Sequence, residues 1–183
     1  MSDQLWTIGH STRSLEEFLA LLDAHRIQHL VDVRRYPFSR RYPHFNGVLL
    51  AASLRNADVA YTHVPGLGGR RKPRPASVNL GWRNDSFRGY ADYIQTDEFQ
   101  SALEKLIAES RRRPTAIMCA EAVPWHCHRS LIADTLLLRH WTVTHILSRT
   151  KTDGHRMTWF AVAQDGIVTY PARTDPDRAP TLF

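Results

Sequence analysis

Apolar residues recur along the chain in two rhythms. Short runs at 5–8, 29–33, 60–64, 115–118 and 142–147 are too brief for helices and read as β-strands. Between them the spacing turns helical. Ser14-Leu15-Glu16-Glu17 forms a capping box ahead of Phe18, Leu19, Leu21 and Leu22. Residues 48–56 and 129–140 carry further amphipathic patterns, and 90–112 carries Tyr93, Ile94, Phe99, Leu103, Leu106 and Ile107 in two pieces that meet near Thr96. Strands that alternate with helices predict an α/β fold: an open, mostly parallel sheet with helices on both faces. Near the C-terminus, Asp165-Gly166 between apolar runs at 158–163 and 167–170 predicts an antiparallel hairpin that adds an edge or a flap. Residues 65–87 hold Pro65-Gly66, Gly68-Gly69, Pro73, Pro75 and Gly81, and read as a long surface loop. No repeat or linker interrupts the pattern, so a single domain over 1–183 is expected.

A chain of 183 residues with 43% hydrophobic content can bury a core without a disulfide or structural metal. Its two cysteines are then thiols of a reducing compartment rather than a framework. No basic stretch followed by an apolar run opens the chain, and no segment nears 18 apolar residues. The expected location is cytoplasmic, with no membrane partner, which makes the Asn84-Asp85-Ser86 sequon incidental.

Charge changes the picture further, because it is uneven. Between Arg34 and Arg88 eleven Lys/Arg face only Asp58 and Asp85, a local balance of +9 in a chain of net charge +6. Tyr36, Phe38, Tyr42, Phe45, Tyr61, Trp82 and Phe87 are interleaved with these cations. That mixture suits a nucleic acid or nucleotide partner, with phosphates taking the charge and rings the stacking; a solvated basic face is the alternative. Arg70, Arg71, Lys72 and Arg74 are the expected polyanion-binding residues, exposed on the loop. Arg111-Arg112-Arg113, at a predicted helix end, reads instead as a macrodipole complement.

Chemistry collects where the strands end. In an open parallel sheet the segments just past the strand C-termini share one edge, and ligands bind there. Those segments are Gly9-His10-Ser11, Asp32-Val33-Arg34, residues 63–69 with Gly68 and Gly69, and Cys119-Ala120-Glu121. The densest stretch follows: Cys119, Glu121, His126, Cys127, His128, Arg129 and Ser130 lie within twelve residues. Cys119 directly follows a strand, and Arg129 with helix amides would lower its pKa, which makes it the expected nucleophile. Glu121 or His128 would serve as base, with His10 alongside. Ser11, Asp32, Arg34, Cys127 and Arg129 would line the cleft and hold anionic groups. A packed core thiol is the competing reading for each cysteine. The Cys-x6-His-Cys-His spacing matches no usual zinc pattern, so no metal is expected. Gly66-x-Gly68-Gly69 lacks the dinucleotide and nucleoside-triphosphate fingerprints, and no motif specifies a cofactor.

Five ordered motifs carry a resemblance. Thr7-Ile8-Gly9-His10-Ser11, Leu30-Val31-Asp32-Val33-Arg34 with Pro37, Ser39 and Arg40, Tyr61 to His63 before Leu67-Gly68-Gly69, Phe87-x-Gly89-Tyr90-Ala91-x-Tyr93, and Cys119-x-Glu121 through Cys127-His128-Arg129 resemble domain-of-unknown-function family 488. The resemblance implies a compact cytoplasmic α/β protein and a shared site built from those positions, so Ser39, Arg40 and Tyr90 join the candidates; it implies no particular reaction. A fainter similarity runs to rhodanese-like sulfurtransferases and cysteine phosphatases, which usually set five residues between Cys and Arg where this chain has nine between Cys119 and Arg129. The leading expectation is a Cys- or Glu-dependent hydrolase or transferase acting on a phosphate-bearing substrate. Non-catalytic nucleic-acid binding and thiol sulfur transfer are the alternatives.

Overall fold

The computed structural model describes residues 3–172. Its main sheet has six strands in the order β3-β2-β4-β1-β5-β6. These are β1 (Gln4–Gly9), β2 (His29–Asp32), β3 (Ala60–His63), β4 (Thr115–Cys119), β5 (Thr142–Ile146) and β6 (Thr152–Gly154). The first five run parallel, and β6 runs antiparallel to β5. The predicted hairpin forms as β7 (Val162–Gln164) and β8 (Ile167–Thr169), but as a separate two-stranded sheet; the antiparallel edge is β6, which the apolar pattern did not signal.

Five helices cover the sheet: α1 (Leu15–Ala24), α2 (Gly47–Asn56), α3 (Asp85–Tyr93), α4 (Asp97–Ser110) and α5 (Arg129–Leu138). The capping box forms, with Ser14 Oγ accepting from the Glu17 amide at 3.1 Å and the Glu17 carboxylate accepting from the Ser14 amide at 2.8 Å. Alternation along each strand then sorts the core into two layers. Ile8, Leu30, Ala116, Met118 and Ile146 pack with Phe18, Leu22, Leu50 and Leu54 of α1 and α2. Leu5, Val31, Val33, Ile117 and Val143 pack on the opposite face with residues of α3, α4 and α5. Every residue of β2 and β4 is buried, as expected for central parallel strands covered on both sides.

The third helix begins five residues earlier than its apolar stripe predicts. Asn84 caps it, its Oδ1 accepting from the Ser86 and Phe87 amides at 2.8 and 3.3 Å. Gly89 weakens the helical signal but is required: a Cβ there would lie 2.2 Å from the Arg71 carbonyl oxygen, where the loop backbone crosses α3. That loop is also less superficial than its breakers suggest. Asp92 accepts from the Arg74 amide, Ser77 Oγ and Asn79 Nδ2 at 2.7–2.8 Å, and the buried Asn79 Oδ1 accepts from the Tyr170 amide at 2.9 Å. The loop is therefore fastened to α3 and to the end of β8. Among the described residues, no helix is long and apolar enough to cross a membrane.

Candidate active site

The strand register puts the predicted residues at one edge. Gly9 pairs with Cys119, Asp32 with Met118, and the His10 amide donates to the Cys119 carbonyl at 3.0 Å. Alternation then divides them between two clusters, because residues two apart on a strand share a face and their neighbours take the other.

The first cluster lies on the α1/α2 face. Asp32 is fully buried and Arg34 is 7% exposed, and they form an ion pair whose shortest contact, guanidinium nitrogen to Oδ2, is 2.6 Å. Arg34 Nε donates to Oδ1 at 2.9 Å, its backbone amide to the same oxygen at 3.0 Å, and a terminal nitrogen to the Phe45 carbonyl at 2.8 Å. Tyr61 donates to Oδ2 at 2.8 Å. His10 stacks on Phe45 with ring centroids 4.3 Å apart, and its Nε2 lies 3.4 Å from the guanidinium. Burial, reinforced by the Arg34 charge, pushes the His10 pKa down to about 4, so this imidazole is neutral at physiological pH. Arg34 is occupied by internal acceptors.

The second cluster, on the α5 face, is built around sulfur. Cys119 Sγ, Cys127 Sγ and His128 Nδ1 lie within 4.8 Å of one another. Arg129 is 1% exposed and divides its guanidinium three ways: Nε donates to Cys127 Sγ at 3.4 Å, one terminal nitrogen to Thr7 Oγ1 at 3.5 Å, the other to the Glu121 carbonyl at 2.5 Å. The Arg129 backbone amide, at the start of α5, also favours the charged form of Cys127. His128 Nε2 must carry its proton, since its partner at 2.9 Å is the Val33 carbonyl, which can only accept. Its Nδ1 lone pair therefore faces Cys127 Sγ, 3.6 Å away. Gly69 allows that approach, because a Cβ there would meet His128 Nδ1 at 2.9 Å. Tyr90 closes the far side with its ring edge-on to His128, centroids 5.0 Å apart, and its hydroxyl on the Leu67 carbonyl at 2.6 Å.

The sulfurs divide their proton unequally. Burial alone would raise the Cys127 thiol, but a hydrogen bond from Cys119 and the Arg129 guanidinium outweigh it and bring the pKa down to about 6. Cys119 is pushed well up, first by donating its S–H to Cys127 and then by its own burial. The Arg129 charge does act to lower Cys119, as expected from the sequence, but the donation to Cys127 and burial outweigh it. The Arg129 guanidinium donates directly to the Cys127 sulfur, whereas the hydrogen bond that the Cys119 sulfur accepts comes from the Glu121 amide at 3.5 Å.

Glu121 is exposed, and its hydrogen bonds into the cluster run through its backbone. Ser11 lines a separate cleft with Arg13, Ser148 and Arg149. Ser39 belongs to a turn, its amide on Asn46 Oδ1 and its hydroxyl accepting from the Tyr42 amide, while Arg40 is exposed beside it. Gly68 packs against the Arg35 backbone. Arg70, Lys72 and Arg74 are exposed, but Arg71 is not. Its guanidinium sits 3.6 Å over the Tyr93 ring and its Nε donates to the Gly68 carbonyl at 3.1 Å, so the expected set of four exposed cations becomes three.

Sequence reasoning missed a chain of buried polar groups behind Arg129. Thr7 Oγ1 meets His145 Nδ1 at 2.8 Å, His145 Nε2 meets His155 Nδ1 at 3.0 Å, and His155 Nε2 meets Asp134 Oδ1 at 2.8 Å. Asp134 can only accept, which orients every bond in one direction from Arg129 through Thr7 and both histidines to the carboxylate. The signal was present: Asp134 stands in an otherwise apolar stretch of α5, Leu131-Ile132-Ala133-Asp134, where an unpaired carboxylate would be costly. Cys119, Cys127 and His128 also bring two sulfurs and an imidazole together, a donor set that the Cys-x6-His-Cys-His spacing does not signal. Arg129 nevertheless holds a fixed positive charge against Cys127, which opposes a cation and favours a thiolate.

The fold and this edge define an open-sheet α/β protein that gathers a thiol pair, a histidine and an arginine past its strand ends. The sequence model of the family described as "Domain of unknown function DUF488" matches residues 14–136, and the chain belongs to that family. No curated protein and no solved structure matches the chain.

Proposed function

We propose that this protein is a thiol-dependent sulfurtransferase with Cys127 as the nucleophile. The observation that carries the reading is the asymmetric thiol pair: Cys127 beside Arg129 Nε with its pKa brought down to about 6, and Cys119 holding the proton. Burial keeps the His128 imidazole neutral with Nδ1 beside Cys127, and the Cys127 thiolate is held by the Cys119 S–H and the Arg129 guanidinium. The thiolate attacks the outer sulfur of a persulfide donor R–S–SH. The donor S–S bond breaks, a Cys127–S–SH bond forms and R–S⁻ leaves; an acceptor thiolate then takes the outer sulfur and restores Cys127, with no net oxidation. Both cysteines are only 3–4% exposed, which favours a small donor.

A phosphate-bearing substrate has less support at this edge, because Arg34 and Arg129 are committed to internal partners. The exposed Arg70, Lys72 and Arg74 still support a nucleic-acid or nucleotide partner elsewhere on the surface.

The test is incubation with glutathione persulfide followed by peptide-resolved mass spectrometry. Cys127 should gain the mass of one sulfur atom, Cys127→Ser should abolish the gain and Cys119→Ser should retain it. Loading confined to Cys119, or appearing only after unfolding, overturns the assignment.

A further inference from the structure

Both cysteines of the chain meet in the second cluster, as free thiols held by backbone of different kinds. Cys119 ends β4 and is fixed by its pairing with Gly9. Cys127 follows the short turn Pro124–His126 and precedes α5, with φ −139° and ψ 147°, so its backbone belongs to neither a strand nor a helix. The two sulfurs lie within 4.8 Å of each other. A disulfide sets its sulfurs about 2.05 Å apart, so a closure of less than about 3 Å joins them. The irregular backbone at Cys127 is where that closure is absorbed. A thiol is also more than the hydrogen bond from Cys119 requires. Its S–H donates to Cys127, a task that a serine hydroxyl performs as well. Only a second sulfur can also bond to the first.

We propose that Cys119 is the resolving thiol of Cys127, and that a small hydroperoxide drives the pair into a reversible disulfide that takes Cys127 out of use. The proposal rests on the same nucleophile as the sulfur-transfer reading but on a different reaction. Cys127, beside the Arg129 guanidinium at 3.4 Å, attacks first. Its thiolate displaces the far oxygen of R–O–OH: the O–O bond breaks, a Cys127–S–OH bond forms, and R–O⁻ leaves and takes up a proton. Sulfur is oxidised by two electrons and the peroxide is reduced to an alcohol, or to water where R is hydrogen. The Cys119 sulfur then attacks the Cys127 sulfur. The S–S bond forms, the S–O bond breaks, and hydroxide leaves with the Cys119 proton as water. An external dithiol reverses the change by exchange and becomes a disulfide itself. Closure removes the sulfur that faces Arg129 Nε, and this guanidinium is only 1% exposed, so the oxidised form loses a buried charge pairing. The disulfide is therefore easily reduced, as a switch requires and a structural staple does not. With Cys127 only 3% exposed, the oxidant that reaches it is small.

Hydrogen peroxide added to the folded full chain, followed by acid quench and peptide mapping, tests it. The wild type should lose two hydrogens in a linked pair of peptides carrying Cys119 and Cys127, and dithiothreitol should restore both thiols without unfolding the chain. Cys119→Ser and Cys119→Ala should each stop at the first step, so that Cys127 gains one oxygen and is trapped by dimedone. Cys127→Ser should leave Cys119 reduced. A sulfenic acid that persists on Cys127 of the wild type, a link that forms only between chains or only in denaturant, or a link that resists dithiothreitol in the folded protein each overturn the proposal. So does closure by glutathione disulfide but not by peroxide. The two readings fail separately. A pair that closes under peroxide while glutathione persulfide adds nothing to Cys127 removes sulfur transfer and keeps the switch, and persulfide loading of a chain in which peroxide closes no disulfide does the reverse.

Discussion

On the α1/α2 face of the sheet edge, Asp32 and Arg34 close a buried ion pair in which Phe45 and Tyr61 supply the remaining hydrogen bonds. On the α5 face, within the same strand ends, Arg129 meets a sulfur instead of a carboxylate. Both arginines are almost fully buried, and both sites carry a histidine. The difference lies in the acceptor. A carboxylate is already ionised and satisfies the guanidinium outright, so the first cluster is electrostatically complete. A thiol becomes a full partner only by losing its proton, so the second cluster draws the Cys127 pKa down. Burial of an arginine is therefore no guide to its role until its partner is named.

The sharpest way to break this comparison is to remove the carboxylate. Asp32→Asn should destabilise the fold by about 3–5 kcal/mol, since Arg34 is left as a buried charge without its counter-ion. Urea unfolding would measure this, while the alkylation midpoint of Cys127 should stay in place. An equal effect on the thiol would mean that the two clusters act as one.

Replacing Arg129 attacks the other side. Arg129→Lys keeps a charge but cannot serve the sulfur, Thr7 and the Glu121 carbonyl together. The pH midpoint of Cys127 alkylation should move up by roughly 1–2 units. An unmoved midpoint would assign the low value to Cys119 and the helix terminus alone.

Acid should weaken both faces in the same window. His10 and His145 are each held near 4 by burial, below the ordinary 6.5. A folded-state value below the unfolded one contributes stability that is present above pH 6.5 and is lost as the pH falls toward 4. Denaturation midpoints should decline across that interval, and His145→Gln should flatten part of the decline. A pH-independent midpoint there would contradict the neutral imidazoles.

Gly69→Ala probes contact with the sulfur site more gently. The new Cβ would press on His128 Nδ1, and persulfide loading should slow while stability falls by only about 1 kcal/mol. The smallest expected change is at the surface. Neutralising Arg70, Lys72 and Arg74 should leave folding and loading unaltered and reduce the salt slope of polyanion binding by about 2 to 3.

Much of the architecture could be read from the chain because its signals are local. The Ser14–Glu17 capping box, the apolar runs of β1 through β5 and the stripe of α4 each report on a few neighbouring residues. Elements whose cause is distant were missed or displaced. Residues 152–154 have no apolar pattern, and they form a strand only because β5 offers an open edge. Asn84 begins α3 where the hydrophobic stripe has not yet started.

The candidate site divides along the same line. The spacing of His10, Asp32, Arg34, Cys119 and Arg129 after strand ends was enough to place them on one edge, because parallel strands align their C-termini whatever their neighbours are. Which sulfur Arg129 touches, which face each side chain takes and which residues stand behind it were decided only in three dimensions. Cys127 owes its low pKa to Cys119, eight residues away in sequence, and to a guanidinium held by Thr7 and Glu121 from other segments. Asp134 acquires its partners from His155, Thr158 and Tyr170. Hydrophobic periodicity is a property of neighbouring residues, whereas proton affinity is set by the field of all groups within a few ångströms, and in this protein those groups come from segments up to more than a hundred residues apart.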